Sequence, residues 1–216
     1  MDADGNWTDA GNWTGDVPNG AGDTANLTTE LTAGRTLSLS EDITLGTLVI
    51  ENDRYSIGGS TTDWPELIFD NDGAAATLTV QDLHTDRDQD TTFRHPLRVA
   101  DELIIDLSTI AGGGFNSYAG FIGDADAHID LTYLLSTNNR RIDLRNNQDY
   151  TGTVDLYRAD GGNAYRSVSF IDNDGVFAGG TDSIRVHSGV SLTFRDALTD
   201  TIADRFVPNA CDSAAV

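Results

Sequence analysis

From residue 36 onward the chain is written in short units in which apolar residues alternate with polar ones. Thr36-Leu37-Ser38-Leu39-Ser40 sets two leucines on one face, and Ile43-Thr44-Leu45 and Leu48-Val49-Ile50 follow closely. The form returns at Leu78-Thr79-Val80, Leu97-Arg98-Val99, Leu103-Ile104-Ile105-Asp106-Leu107 and Ile129-Asp130-Leu131. It continues at Ile142-Asp143-Leu144, Val154-Asp155-Leu156, Val168-Ser169-Phe170, Ile184-Arg185-Val186 and Leu192-Thr193-Phe194. A period of two buries one face of a strand and wets the other. Between the units lie Asp70-Asn71-Asp72-Gly73, Gly112-Gly113-Gly114, Gly161-Gly162-Asn163 and Asp172-Asn173-Asp174-Gly175. Such residues tolerate positive φ or bond their own backbone, which tight corners require. Helical periodicity is missing, so the fold class is all-β. Strands this short fit a parallel β-helix (a solenoid) or a β-sandwich. A sandwich normally has longer strands and hairpin signals such as Asn-Gly. Asn19-Gly20 is the one such dipeptide and lies near the N-terminus. The solenoid is the expected architecture and the β-sandwich its alternative.

Composition agrees. Hydrophobic residues make up 38%, below the roughly 45–50% of ordinary globular chains, with Thr, Ser, Asn, Asp and Gly in their place. The net charge is −22; all 13 basic residues are arginine, and 30 of the 35 acidic residues are aspartate. A field this negative repels nucleic acid and anionic lipid, so no nucleic-acid partner is expected. It also keeps a chain soluble in salt, so a saline habitat and the base composition of the genome are equal readings of the lysine-free charge. No run approaches the ~18–20 apolar residues that span a bilayer, so no membrane insertion is expected. Cys211, the lone cysteine, excludes an internal disulfide framework and a cysteine-based zinc site, and reads as an incidental thiol near the terminus. Met1-Asp2-Ala3-Asp4 has no basic or apolar signal region, so an exported form is expected to be a mature or trimmed chain with a start methionine added.

The opening segment repeats itself, Gly5-Asn6-Trp7-Thr8-Asp9-Ala10 before Gly11-Asn12-Trp13-Thr14-Gly15-Asp16, and turn-rich residues around Pro18 follow. Two tryptophans in a polar segment need a surface to bury against. They read as a cap over the open end of a core, with exposed sugar-binding aromatics as the alternative. The expected organisation is a Trp-containing cap over residues 1–26, a β-solenoid over 27–206 and a polar tail over 207–216. Residues 55–140 show no clear repeat. Leu198 to Phe206 reads as the start of another rung, so the chain is expected to be a fragment of a longer repeat protein, with self-association running through its C-terminal end.

Two stretches resemble a known family. Asn12-Trp13, Pro18 and Gly22-Asp23-Thr24-Ala25-Asn26-Leu27, followed by Leu45-Gly46-Thr47-Leu48, are similar to the N-termini of large bacterial surface proteins with autotransporter-associated β-strand repeats. Asn147 with Tyr150-Thr151-Gly152-Thr153-Val154 resembles the repeat's opening. Phe177-Ala178-Gly179-Gly180 with Ile184-Arg185-Val186-His187-Ser188-Gly189-Val190-Ser191-Leu192-Thr193-Phe194 resembles its close. The likeness covers roughly half the chain, in motifs that encode turns and alternation. Arg158-Ala159-Asp160-Gly161-Gly162 stands where the repeat has Gly-Thr-Leu, and no run of ~9–11-residue amphipathic strands for an outer-membrane barrel follows. The resemblance implies a right-handed parallel β-helix passenger outside the cell and no catalytic residues.

Asp2-Ala3-Asp4-Gly5, Asp70-Asn71-Asp72-Gly73 and Asp172-Asn173-Asp174-Gly175 begin like calcium loops. An EF-hand loop needs a glutamate at its twelfth position; from Asp70 that position is Gln81, and from Asp172 it is Ser183. They read as solvated turn carboxylates. Polysaccharide cleavage needs two carboxylates on one face, and 35 acidic residues single out no pair. Asp143 and Asp155 occupy equivalent outward positions in neighbouring units and could stack, as could any other outward pair, and such like charges usually just face water. His84, His95, His128 and His187 show no metal-ligand spacing. Gly112-Gly113-Gly114 opens no helix and reads as a loop. Asn6, Asn12 and Asn26 head glycosylation-type triplets that matter only in a eukaryotic secretory route. No catalytic, metal or cofactor residue is assigned and no cofactor is expected. The functional expectation is a non-catalytic extracellular or cell-surface element, structural or adhesive, meeting surface polysaccharide or another surface protein. The alternatives are a carbohydrate-active β-helix lyase or hydrolase, and a lectin-like β-sandwich using Trp7 or Trp13.

Overall fold

The structure, a computed structural model, describes residues 2–51, 54–59, 64–81, 91–100 and 102–107 in full and, beyond them, the backbone of nine strands reaching residue 207. β1 (Gly5–Asn6) and β2 (Thr24–Leu27) come first, with one 3-10 turn (Ala10–Asn12) between them. Then come β3 (Arg35–Ser38), β4 (Ile43–Leu45) and β5 (Thr47–Ile50), and β6 (Tyr55–Ile57), β7 (Leu67–Phe69) and β8 (Ala76–Val80). These are followed by β9 (Thr91–Phe93), β10 (Leu97–Val99) and β11 (Glu102–Leu107), and by β12 (Phe115–Ser117), β13 (Phe121–Gly123) and β14 (Asp130–Leu135). The remaining strands are β15 (Ile142–Leu144), β16 (Gly152–Arg158), β17 (Arg166–Phe170), β18 (Thr181–Val186), β19 (Val190–Phe194) and β20 (Phe206–Val207).

Three sheets result. Sheet A runs β1-β3-β6-β9-β12-β15-β17-β19, sheet B runs β2-β5-β8-β11-β14-β16-β18-β20, and sheet C is β4-β7-β10-β13. All ladders between these strands are parallel. From β3 to β14 the chain visits A, C and B in turn, so each strand from β3 to β12 pairs with the strand three places further on; from β14 the strands alternate between B and A and pair two places on. The antiparallel hairpins of a β-sandwich do not occur among the described strands; the antiparallel contact found among the described residues is an isolated bridge outside them, from Asn71 to Ala74. Residues 55–140, in which the sequence shows no repeat, contain β6 to β14 in the same cyclic order as their predecessors.

Register turns alternation into columns. Ala25, Leu48, Leu78 and Ile105 lie side by side across sheet B, and Leu37, Ile57 and Phe93 across sheet A. Ile43, Leu67 and Leu97 do the same across sheet C, and all ten side chains are buried. Burying a side chain of this size is worth about 1.5–3 kcal/mol, so a one-residue slip would turn every column outward. The outward set, such as Thr47, Thr77 and Ile104 on sheet B, is half-buried.

The corners are tight. Gly46 alone separates β4 from β5, and a Cβ there would lie 2.5 Å from Asn71 Oδ1 and 2.7 Å from Gly22 Cα. Any side chain would push apart the corners of consecutive rounds. The Asp23 carbonyl then accepts both Gly46 N, at 2.9 Å, and Thr47 N, at 3.0 Å.

Candidate functional site

The N-terminal segment packs its two tryptophans against the core. Trp7 is fully buried and donates from Nε1 to the Pro18 carbonyl at 2.8 Å. Trp13, half-buried, donates from Nε1 to the Trp7 carbonyl at 2.6 Å, and the two rings sit 4.9 Å apart at 53°. Buried indoles need such acceptors. Side chains also take over edge amides: Asp4 Oδ1 accepts Thr36 N at 2.8 Å and Asn19 Oδ1 accepts Thr44 N at 2.9 Å. Asn6 Oδ1 accepts from Thr8 N at 3.0 Å, Thr8 Oγ1 at 2.8 Å and Ser40 Oγ at 3.2 Å. Asp2 accepts from Thr32 N and Oγ1 and from Arg35 Nε at 2.9 Å. The Thr32 hydroxyl and then Arg35 hold its carboxyl down to about 2. The aspartates of Asp2-Ala3-Asp4-Gly5 are thus bound to the chain's own amides and hydroxyls.

The second aspartate-rich candidate is also a local turn. Asp70 Oδ1 accepts Asp72 N at 3.0 Å, and Ala74 N bonds the Asn71 carbonyl at 3.0 Å. Asp72 and Gly73 both have positive φ, 52° and 80°, as a mirror-image two-residue turn demands. Among the described residues no three His, Cys, Asp or Glu side chains are grouped to hold a metal ion. Asp172-Asn173-Asp174-Gly175, Gly112-Gly113-Gly114, His84, His128, His187 and Cys211 lie outside the described residues.

Asp143 and Asp155 are not brought together. Asp143 lies on sheet A, in register with Asn116 and Ser169, whereas Asp155 lies on sheet B beside Thr132 and Arg185. Equivalence in the pattern misleads because successive units go to different sheets. The motif Ile184 to Phe194 likewise divides between β18 on sheet B and β19 on sheet A.

Beside the N-terminal segment is a cleft of about 50 Å³, lined by Gly5, Asn12, Trp13, Asn26, Tyr55 and neighbours. Asn12 Nδ2 donates to the Asn6 carbonyl at 2.8 Å, and its Oδ1 is buried without a partner among the described residues. That oxygen is shut off from solvent, so nothing in the cleft reaches it as arranged. Burial raises the Tyr55 phenol pKa, against a hydrogen bond from Thr29 that lowers it.

The corner before β7 is built differently. His95 is 2% exposed, and its Nδ1 and Nε2 lie 2.8 Å and 2.7 Å from the carbonyls of Pro65 and Gly59. The ring thereby ties together the two stretches of backbone on either side of the corner. Gly58 makes room: with φ +96°, its Cβ would lie 2.6 Å from His95 Cδ2. Above this ring sits Trp64, 58% exposed, with centroids 5.7 Å apart and planes tilted by 47°. Its φ is +44°, a left-handed setting that costs a bulky residue of order 1–3 kcal/mol. Sequence reasoning singled out Trp7 and Trp13 and passed over Trp64. The available signal was a tryptophan outside every alternating unit, next to Pro65.

No helix among the described residues is long and apolar enough to cross a membrane. No family model, curated protein or solved structure matches the chain.

Proposed function

We propose that the chain is a right-handed parallel β-helix serving as a non-catalytic structural and adhesive element on the outer surface of a bacterial cell, of the type that carries autotransporter-associated β-strand repeats. The observation that carries this reading is the cyclic strand order, with all ladders parallel and partners a full round apart. Coiling around one core is the simplest path that satisfies it, and right-handed crossovers dominate parallel sheets. Sealed edge amides and a plug of two indoles are what the end of such a coil needs to stay soluble. The −22 charge suits a molecule standing in salt among other surface polymers.

Surface proteolysis of intact native cells, followed by fractionation, tests the location. The chain is expected among peptides released from whole cells; recovery only from lysed cytosol sinks the reading. Purified protein is expected to release neither reducing ends nor unsaturated uronate from acidic or neutral polysaccharides. Turnover abolished by a single Asp→Asn change would make it a carbohydrate-active enzyme instead.

A further inference from the structure

One exposed aromatic side chain is ordinary on a protein surface. One held in an unfavourable backbone setting, over a support built for it, is not. Trp64 is the large hydrophobic side chain that stands exposed among the described residues. Three features converge beneath it. Its own φ lies at +44°, Gly58 takes φ +96° where a Cβ would strike the imidazole, and His95 is clamped by two carbonyls from either side of the corner. The clamped imidazole lies 5.7 Å from the indole with its plane tilted by 47°, within the range of an aromatic pair. A ring needed only for packing would be turned inward, as Trp7 is, and a left-handed corner ordinarily carries glycine, asparagine or aspartate, as at Asp72 and Gly73, not a bulky aromatic. The arrangement presents an indole outward over a clamped support.

We propose that the Trp64 corner is a platform for a neutral or amino-sugar polysaccharide, with the apolar face of a pyranose ring lying on the exposed indole. An aromatic face presented with little remaining freedom is the usual means of holding a sugar's C–H face, since it offers large contact area at low entropy cost. The charge of the chain narrows the class: a net −22 disfavours sulfated or uronate polymers and favours uncharged or amino-bearing ones. This gives chemical content to the adhesive part of the surface reading, and it rests on that reading only for where the contact occurs. The N-terminal cleft is a poorer candidate, because the partnerless acceptor in its lining is closed to solvent.

The test is affinity electrophoresis of the whole chain through gels containing a soluble β-glucan, glycol chitosan or alginate, with Trp64→Gly and Trp64→Phe variants. Wild type is expected to be retarded by the β-glucan, by glycol chitosan or by both, and not by alginate beyond a blank gel. Retardation of glycol chitosan by charge alone survives Trp64→Gly, so loss in that variant identifies the stacking contribution. Trp64→Gly is expected to cut retardation about fivefold or more, the factor one aromatic stack provides, while Trp64→Phe retains part of it. Its melting temperature should equal or exceed that of wild type, because glycine relieves the left-handed backbone. The proposal is overturned if wild type is retarded by neither polymer, or if Trp64→Gly runs as wild type. It is equally overturned if the fluorescence difference between wild type and Trp64→Gly is that of a buried indole, or if Trp64 instead mediates dimerisation in sedimentation. Failure on any of these counts leaves the surface-proteolysis result untouched, so the two readings fail separately.

Discussion

Thr91 sits at an inward position of β9, fully buried, and its Oγ1 has no partner among the described residues. A buried hydroxyl without a partner bears its whole desolvation cost. Thr91→Val keeps the branched shape and removes the oxygen, so it should stabilise the chain by about 1 kcal/mol, read as a higher denaturant midpoint at unchanged slope. Asp2 gives a prediction of pH dependence. Its carboxyl is depressed from 3.8 to about 2 by Thr32 and Arg35. A depressed acid contributes stability that is fully present above its unfolded pKa and is lost as pH falls through the folded one. The contacts to Thr32 and Arg35 should therefore hold at pH 5 and be lost on acidification between about pH 4 and pH 2. The Thr32 amide shift in an NMR titration reads this directly, and Asp2→Asn should abolish the transition. Neither effect was legible beforehand. Thr91 follows a stretch without alternation, and the partners of Asp2 lie about thirty residues away.

At the scale of single strands, most of the architecture could be read in advance because a half-buried strand must alternate. Where the inward column is built otherwise, the signal vanished. β7 reads Leu67-Ile68-Phe69, apolar at all three positions, because its outer Ile68 is itself half-buried between Thr44 and Arg98. β9 reads Thr91-Thr92-Phe93 and places a threonine inside, while β12 places Ser117 in the column of Phe93 and Leu144. Edges were less legible still, since the atoms that close them belong to loops. Asn19 is the sharpest case: its Oδ1 takes the Thr44 amide, and its Nδ2 reaches Glu41 and Asp42 at 3.4 Å. Asn19→Ala should cost about 1 kcal/mol, as lost caps do, and speed hydrogen exchange at Thr44 while leaving Leu97 on β10 protected. Equal acceleration at both amides would mean that the asparagine does not act as a local edge cover.

For the molecule as a whole, the decisive property is that neighbours in space are about thirty residues apart in sequence. Thr47 and Thr77 are register partners on the outer face of sheet B, so their Cα atoms stand ~4.8 Å apart, inside the ~4.4–6.8 Å that a disulfide spans. In a Cys211→Ser background, Thr47→Cys with Thr77→Cys should oxidise readily to an intramolecular bridge. Thr47→Cys with Thr79→Cys, displaced two residues along the strand, should not. Bridging of both pairs, or of neither, would contradict the parallel register on which the coil rests. The fold class and most strands were visible from alternation. The cyclic order that assigns each strand to a sheet was not, because nothing local in Val154-Asp155-Leu156 says that it follows Thr132 and not Asp143. The loop-to-strand bonds bear on how length can change. Because the Asp4 and Asn19 side chains hold the amides of Thr36 on β3 and Thr44 on β4, a round duplicated between those loops and those strands would break both bonds. A round duplicated among the later strands would leave both intact, so added length is tolerated there at lower cost.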